Sequence, residues 1–333
     1  MHKSVAAGFA VVAGILVCSA PLHARITKIV VDEKISPAFC KGASCASYGD
    51  AGQYEQIAGR AFGELDPGDP LNKIIQDIGL GKDPDGKVRY VATFVVTKPV
   101  DMAKASGLMW HDVPNRGRPL TISNMERGFG DVGLASAWQG DNASMRAGLG
   151  TAVRPTMNAE GNHWLQVPVA KNPDGSPVTG PVMGRIVNRS GPDAQPLIIQ
   201  SNPLPYMPAS LDTSKATLVT RDHESMEGVV TGETSIAGAD WKFCGGGTFD
   251  APVPLTKLPV QICLKGGFNP AKLYQVVYTA KDPYVLGIGF AAWRDIASFF
   301  KYADQDDVGT ANPLAGSISR SITRGRSQSG NYL

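Results

Sequence analysis

The stretch Gly325-Arg326-Ser327-Gln328-Ser329-Gly330 decides how this chain is interpreted, because it follows a run rich in β-branched residues at 318–323. A strand that ends in a glycine-flanked serine is typical of a nucleophile elbow, a tight turn that holds a hydroxyl clear of a sheet. Small residues flank the serine because larger side chains would collide with the elements on either side of the strained turn. The pattern predicts Ser327 as a nucleophile and the backbone amide of Gln328 as an oxyanion donor.

An earlier part of the chain supplies a candidate second oxyanion donor. Its predicted elements are a strand at 107–113, a loop at 114–119, a short helix at 123–127 and a strand at 132–138. Strand, loop, helix and strand in this order form the unit of a parallel sheet with crossovers, so we predict an α/β fold. A second oxyanion amide is expected in the loop after such a strand, which points to Arg116 and Gly117. An ordinary tight turn is the alternative interpretation of this loop.

The chain divides into three parts after its first 24 residues. Residues 25–141 carry the N-terminal strands and the first crossover, because apolar and polar residues alternate there in two long runs. At 142–268 short β-prone runs alternate with proline and glycine, which predicts a β-rich insertion. Residues 269–333 are predicted to form a strand, a helix at 286–302, a strand and the serine turn.

Composition restricts the partners of the chain. Its 333 residues are 43% hydrophobic with a formal net charge of +2, which gives no electrostatic reason to bind nucleic acid or an anionic membrane. The sequence of residues 287–292 matches a dinucleotide-binding motif. Its glycines lie inside a predicted apolar helix and not in the turn after a strand, so we interpret them as positions that let this helix approach the sheet closely. We expect no organic cofactor, and a small-molecule ester as the partner if the site is active.

The first 24 residues are predicted to be a signal peptide. His2 and Lys3 give a basic start, an apolar run extends over 5–17, and small residues precede a cut after Ala24. The apolar run is short for a bilayer span, although a retained anchor is the alternative. We therefore expect a protein exported to the periplasm or beyond, with no membrane segment once the signal is cleaved.

Four cysteines remain after the signal peptide, namely Cys40, Cys45, Cys244 and Cys263. An even number in an oxidising compartment favours two disulfides, for which three connectivities exist. Cys40 with Cys45 and Cys244 with Cys263 is the most local of the three. Zinc is the competing interpretation, but neither a CxxC motif nor clustered histidines accompany these cysteines, so we predict no metal site.

Several motifs in one order carry a resemblance to a known family. They are Tyr54-Glu55-Gln56, Arg60-Ala61-Phe62-Gly63-Glu64-Leu65-Asp66-Pro67, Asn115-Arg116-Gly117-Arg118, Trp138-Gln139-Gly140-Asp141, Tyr278-Thr279-Ala280-Lys281-Asp282-Pro283 and the C-terminal residues 325–333. Together they resemble the N-terminal portion of the bacterial secreted α/β-hydrolase domain family of serine esterases. The resemblance implies a partial α/β-hydrolase fold, in which an incomplete, mostly parallel sheet ends at the nucleophile elbow and carries a β-rich insertion.

The resemblance also implies a function and a difficulty. In that fold the catalytic residues come in the order serine, acid, histidine, so the acid and the histidine would lie beyond Leu333. We expect a secreted serine carboxylic-ester hydrolase by lineage, with little activity from these 333 residues. The alternative is a non-catalytic exported binding or structural protein, whose ligand face could include Trp164, Tyr206 and Trp241.

Overall fold

The computed structural model describes residues 24–141, 157–186, 193–197, 205–256 and 259–333, and strands dominate this part of the chain. The strands are β1 Ala24–Ile35, β2 Cys40–Lys41, β3 Ser44–Cys45, β4 Ser47–Tyr48, β5 Gly52–Leu65, β6 Val88–Pro99, β7 Leu108–Val113, β8 Val132–Ser136, β9 Leu165–Gln166, β10 Thr179–Ile186, β11 Gln195–Pro196, β12 Thr217–Arg221, β13 His223–Glu224, β14 Val230–Thr231, β15 Thr234–Ile236, β16 Trp241–Cys244, β17 Gly246–Gly247, β18 Pro252–Val253, β19 Gln261–Leu264, β20 Leu273–Lys281 and β21 Arg320–Gly325. The α-helices are α1 Asn124–Gly128 and α2 Ile288–Tyr302.

The main sheet has eight strands in the order β1-β5-β6-β8-β7-β21, with β4 beside β5 and β9 beside β6. Strands β1, β5, β6 and β8 pair antiparallel, whereas β7 runs parallel to both β8 and β21. The carboxyl ends of β7, β8 and β21 therefore meet at one edge of the sheet. All candidate nucleophile and oxyanion residues follow β7 or β21.

Helix α2 covers one face of this sheet. Phe300 packs against Phe94 of β6, with ring centroids 5.0 Å apart, and the Tyr90 hydroxyl donates to Asp295 over 3.1 Å. Gly289 brings the helix close, because a Cβ there would lie 1.9 Å from the carbonyl oxygen of Trp138. The predicted close approach therefore applies to Gly289, whereas Gly287 precedes the helix and a Cβ there would lie 2.9 Å from the Ile75 side chain.

A second apolar core lies around two smaller sheets. One has the order β10-β20-β12-β15 and the other β11-β19-β16, and both are antiparallel. Trp241, Ile262 and Val276 are fully or almost fully buried in this core. Strand β20 belongs here, so the first strand of the predicted segment 269–333 does not hydrogen-bond within the main sheet.

The predicted α/β fold is wrong. The described residues form mostly strands in several separate sheets, with two α-helices of 5 and 15 residues. The predicted crossover does produce the parallel pair β7 and β8, but most pairing in the main sheet is antiparallel, so it is not a mostly parallel α/β-hydrolase sheet. Hydrophobic periodicity identifies a strand without specifying its neighbours or their direction, and this is where the prediction failed.

Two of the sequence expectations fall partly or wholly outside the described residues. The predicted signal peptide, residues 1–24, lies outside the described residues except for Ala24. Of the predicted insertion, 142–268, the structure describes the ranges 157–186, 193–197, 205–256 and 259–268. Among the residues that the structure does describe, no helix has the length and apolar character needed to cross a membrane.

Candidate functional site

The serine turn begins where β21 ends. Ser327 has a φ of 58° and starts a single 3-10 turn, Ser327–Ser329, in which Gly330 N donates to Ser327 O over 2.9 Å. A Cβ at Gly325 would lie 2.2 Å from the carbonyl oxygen of Ser329, so the turn requires glycine there. The left-handed backbone of a non-glycine residue costs about 1 kcal/mol, and such strain clusters at functional sites. The Ser327 side chain is exposed at the end of the strand.

The loop after β7 is a two-residue hairpin turn. Asn115 and Arg118 exchange two backbone hydrogen bonds, both 3.1 Å long, and Arg116 and Gly117 between them have φ values of 53° and 81°. The alternative interpretation, a tight turn, therefore describes its shape. Within the described part of the chain, the amides of Arg116, Gly117 and Gln328 donate to no backbone or side-chain acceptor. Free amides of this kind are the donors that an oxyanion needs.

Strand pairing places the two turns at the same edge of the sheet. Val113, the last residue of β7, pairs with Gly325, the last residue of β21, and the two strands are parallel. The serine turn starts two residues after Gly325, and the hairpin turn starts two residues after Val113. The parallel register of β7 and β21 therefore brings two turns that are distant in sequence to the same edge of the sheet.

The residues after Ser327 are held against this edge by aromatic contacts. The Tyr332 ring lies 4.6 Å from Phe290, 4.8 Å from Trp138 and 5.6 Å from Trp293, between ring centroids. The Trp138 indole donates to the carbonyl oxygen of Pro114 over 2.8 Å, at the base of the hairpin turn. One aromatic cluster therefore joins the C-terminal segment, helix α2 and the hairpin turn.

Asp112 is a buried acid beneath the hairpin turn that sequence analysis missed. Its side chain accepts a hydrogen bond from Leu120 N over 2.7 Å, and its second oxygen has no hydrogen-bond partner in the described part of the chain. Burial raises the pKa of Asp112 to about 6, against the opposing effects of the Leu120 hydrogen bond and of Arg324 and Arg326. The sequence signal that could have identified Asp112 was an acidic residue near the end of a predicted apolar strand.

Two buried histidines lie near the hairpin turn. His111 shares a hydrogen bond with the Ser136 hydroxyl over 2.8 Å and stacks on Trp293 at 4.0 Å. His163 shares one with the Thr93 hydroxyl over 3.1 Å. Burial lowers the pKa of His111 to about 3, with a smaller contribution from His163, and burial lowers the pKa of His163 to about 4.

Neither histidine serves Ser327 in this arrangement. Among the hydrogen bonds of the described residues, none joins a histidine to the Ser327 hydroxyl. Both imidazoles are fully buried and hydrogen-bonded to other hydroxyls.

The position of β21 at the edge of the main sheet explains why this strand carries Arg320 and Arg324. Within the described residues β21 pairs only with β7, so it lies at the edge of the main sheet and Arg320 is exposed. Arg324 forms an ion pair of 3.1 Å with Glu126 and lies 5.5 Å from the Trp110 ring. The Glu126 side chain also completes a capping box with Ser123 at the start of α1. Charged residues are tolerated here because the residues of β21 are exposed or half-buried.

Both predicted disulfides are present, Cys40–Cys45 and Cys244–Cys263, which confirms the most local connectivity. The described residues contain no group of three or more histidine, cysteine or acidic side chains placed to hold a metal ion. Trp164 and Trp241 are 4% and 1% exposed, so they belong to the cores and do not form a ligand face. Tyr206 is half-buried.

Comparison with known proteins does not extend these observations: no family model matches the chain, and neither does any curated protein or solved structure. The fold and the site define a β-rich, disulfide-bonded chain with a strained, exposed serine at the edge of its main sheet.

Proposed function

We propose that this chain carries a serine nucleophile site for carboxylic esters, with Ser327 as the nucleophile. The observation that carries the proposal is the φ of 58° at Ser327, directly after a parallel strand. The Ser327 side chain is exposed, so packing does not compensate for the strain of this backbone. A strained turn that presents a hydroxyl to solvent is the arrangement expected of a nucleophile.

The chemistry would proceed through an acyl-serine. The Ser327 Oγ attacks the ester carbonyl carbon, and the carbonyl oxygen becomes an oxyanion that accepts hydrogen bonds from the amide of Gln328 and from an amide of Arg116 or Gly117. When this intermediate collapses, the bond to the alcohol oxygen breaks and the alcohol leaves with a proton. Water then attacks the acyl-serine and restores the hydroxyl.

Proton removal from Ser327 is the step that the described residues do not support. Neither His111 nor His163 reaches its hydroxyl, and both imidazoles have other partners. Oxyanion stabilisation without a base leaves a residual acceleration of about a thousandfold over water. We therefore expect slow ester cleavage, limited by deprotonation of Ser327.

An added base tests this directly. Ester cleavage is measured with increasing 2-methylimidazole, a hindered base that is a poor nucleophile, in the wild type and in Ser327→Ala. We expect the wild type and Ser329→Ala, but not Ser327→Ala, to gain a rate that rises with the concentration of neutral base, and intact-mass analysis to find an acyl group on Ser327. Ser329→Ala is the matched control, because Ser329 lies in the same turn but is buried. Equal rates in the wild type and Ser327→Ala at every base concentration would refute the proposal.

We also propose that the protein functions outside the cytosol. Its support is the pair of disulfides, Cys40–Cys45 and Cys244–Cys263, because such bonds persist in oxidising compartments. Expression of the gene in a bacterial host followed by cell fractionation tests this: the protein should be found in the periplasmic or extracellular fraction with no free thiol. Recovery only from the cytosol, with four reduced cysteines in the mature chain, would contradict it.

A further inference from the structure

A cavity of about 660 Å³ lies on the main sheet, away from the serine turn. It crosses β1, β5, β6 and β9 and is bounded by the segments 80–83 and 167–171. A volume of this size is within the range of small-molecule binding sites. None of its lining residues belongs to the candidate ester site, so the cavity has no role in the proposed function.

The interior of the cavity is apolar. Its apolar lining includes the buried Tyr90 and Val167 and the partly buried Phe62, Leu80, Val91, Pro168 and Val169. Partly buried aromatic and branched side chains around an open volume lose hydration when a ligand fills it, which favours binding of an apolar body.

The rim of the cavity carries charges of both signs, and two of its lysines lack a carboxylate partner in the described part of the chain. Lys28 and Lys82 form no ion pair with a carboxylate among the described residues, and Lys28 Nζ lies 5.8 Å from the Phe62 ring centroid, above the apolar lining. The other two cations on the rim are neutralised. Arg89 is paired with Glu64, Asp83 and Asp85, and Lys171 is paired with Asp282. The rim therefore offers two ammonium groups for which the described residues provide no carboxylate partner, those of Lys28 and Lys82, beside an apolar interior, while three carboxylates surround Arg89.

We propose that this cavity binds a compact organic monoanion, with an aromatic or branched body against Phe62 and Val91 and its carboxylate or sulfonate between Lys28 and Lys82. The apolar lining selects the body, and the two unpaired ammonium groups select the charge. The proposal does not depend on ester cleavage at Ser327.

A pair of fluorescent probes separates charge from apolar contact. The anion 8-anilinonaphthalene-1-sulfonate and its uncharged analogue N-phenyl-1-naphthylamine are titrated into the purified protein at pH 7. We expect one saturable site for the anion. The double variant Lys28→Met with Lys82→Met should weaken binding of the anion about tenfold, since two charge contacts are lost, and change that of the neutral probe by less than about twofold.

Matched variants make the test decisive. The double variant Lys41→Met with Lys215→Met removes the same charge at exposed positions outside the cavity and should leave both affinities unchanged. Val91→Trp fills the cavity and should abolish binding of both probes, with the near-ultraviolet circular dichroism of the core retained. Equal anion affinity in the wild type and in the Lys28 and Lys82 double variant would overturn the proposal, whether or not Val91→Trp folds.

Discussion

The backbone amide of His163 donates to the carbonyl oxygen of Gly117 over 2.7 Å, and both residues are buried. This bond attaches the hairpin turn to a segment that also covers β6, through the bond from Thr93 N to Trp164 O. The orientation of the candidate oxyanion amides therefore depends on residues some 50 positions later in the chain. A loop held on only one side would fluctuate more and stabilise an oxyanion less.

Acid should destabilise the protein through His111 and His163. Their folded-state pKa values, about 3 and about 4, lie below the ordinary value of 6.5, so the unfolded chain takes up protons first as the pH falls. Stability is then lost from about pH 6.5 downward, by about 1 kcal/mol per pH unit for each histidine. Urea denaturation at pH 7, 6 and 5 measures this, and His163→Gln should show a shallower dependence than the wild type. The same slope in both proteins would rule out His163 as a contributor.

Replacing Asp112 with asparagine should stabilise the protein above pH 6. The folded-state pKa of Asp112, about 6, is raised above its ordinary 3.8, so ionisation at neutral pH is penalised in the folded state. That penalty is fully present above pH 6 and disappears as the pH falls below 3.8. Asp112→Asn keeps an acceptor for Leu120 N and should gain up to about 3 kcal/mol at pH 8 and little at pH 4. A gain that does not depend on pH would show that charge is not the cause.

The serine turn should not tolerate a side chain at position 325. Gly325→Ala places a Cβ 2.2 Å from the Ser329 carbonyl oxygen, so the turn must open and Tyr332 must leave its aromatic contacts. We expect a change in tryptophan fluorescence, because Trp138 and Trp293 contact Tyr332, and a loss of about 2 kcal/mol of stability. Gly180→Ala, where a Cβ meets no atom within 4 Å, is the control and should leave the fluorescence unchanged.

Asn312 should stabilise the end of helix α2. Its amide donates to the carbonyl oxygens of Phe299, Phe300 and Ala303 over 3.1, 3.2 and 2.7 Å. Asn312→Ala leaves these buried acceptors without the side chain that satisfies them, at a cost of about 2 kcal/mol. Chemical denaturation measures the loss, and Asn331→Ala at an exposed position should change stability by less than about 0.5 kcal/mol. Similar effects of the two substitutions would refute this role.

The two disulfides should differ in their contribution to stability. Cys244–Cys263 spans 19 residues and Cys40–Cys45 spans 5, so the chain-entropy argument assigns about 3 kcal/mol to the first and about 2 kcal/mol to the second. Cys244 and Cys263 are also fully buried, so their replacement by serine adds a cost of burying hydroxyls. Paired cysteine-to-serine variants compared by denaturant unfolding measure the difference. A larger loss for the Cys40 and Cys45 pair would contradict this order.

Local sequence patterns predicted several local features of the fold. Helix 286–302 was predicted close to its observed bounds, Ile288–Tyr302, because its apolar face has a clear 3.6-residue period. Cysteine number predicted two disulfides, and the structure selected the most local of the three possible connectivities. The partners of each strand could not be predicted in this way: β20 carries an alternating pattern that suits either sheet, and it pairs with β10 and β12.

The sequence by itself determined where the chain turns, which segments are extended, that four cysteines are available for two disulfides and that a serine follows a strand in a glycine-bounded turn. Only the tertiary structure decided that the sheets are mainly antiparallel, that His111 and Asp112 are buried, and that the turns at Gly117 and Ser327 share an edge. The physical reason is that turns and helix faces depend on neighbours within a few residues, whereas strand pairing and burial depend on contacts between residues far apart in the chain.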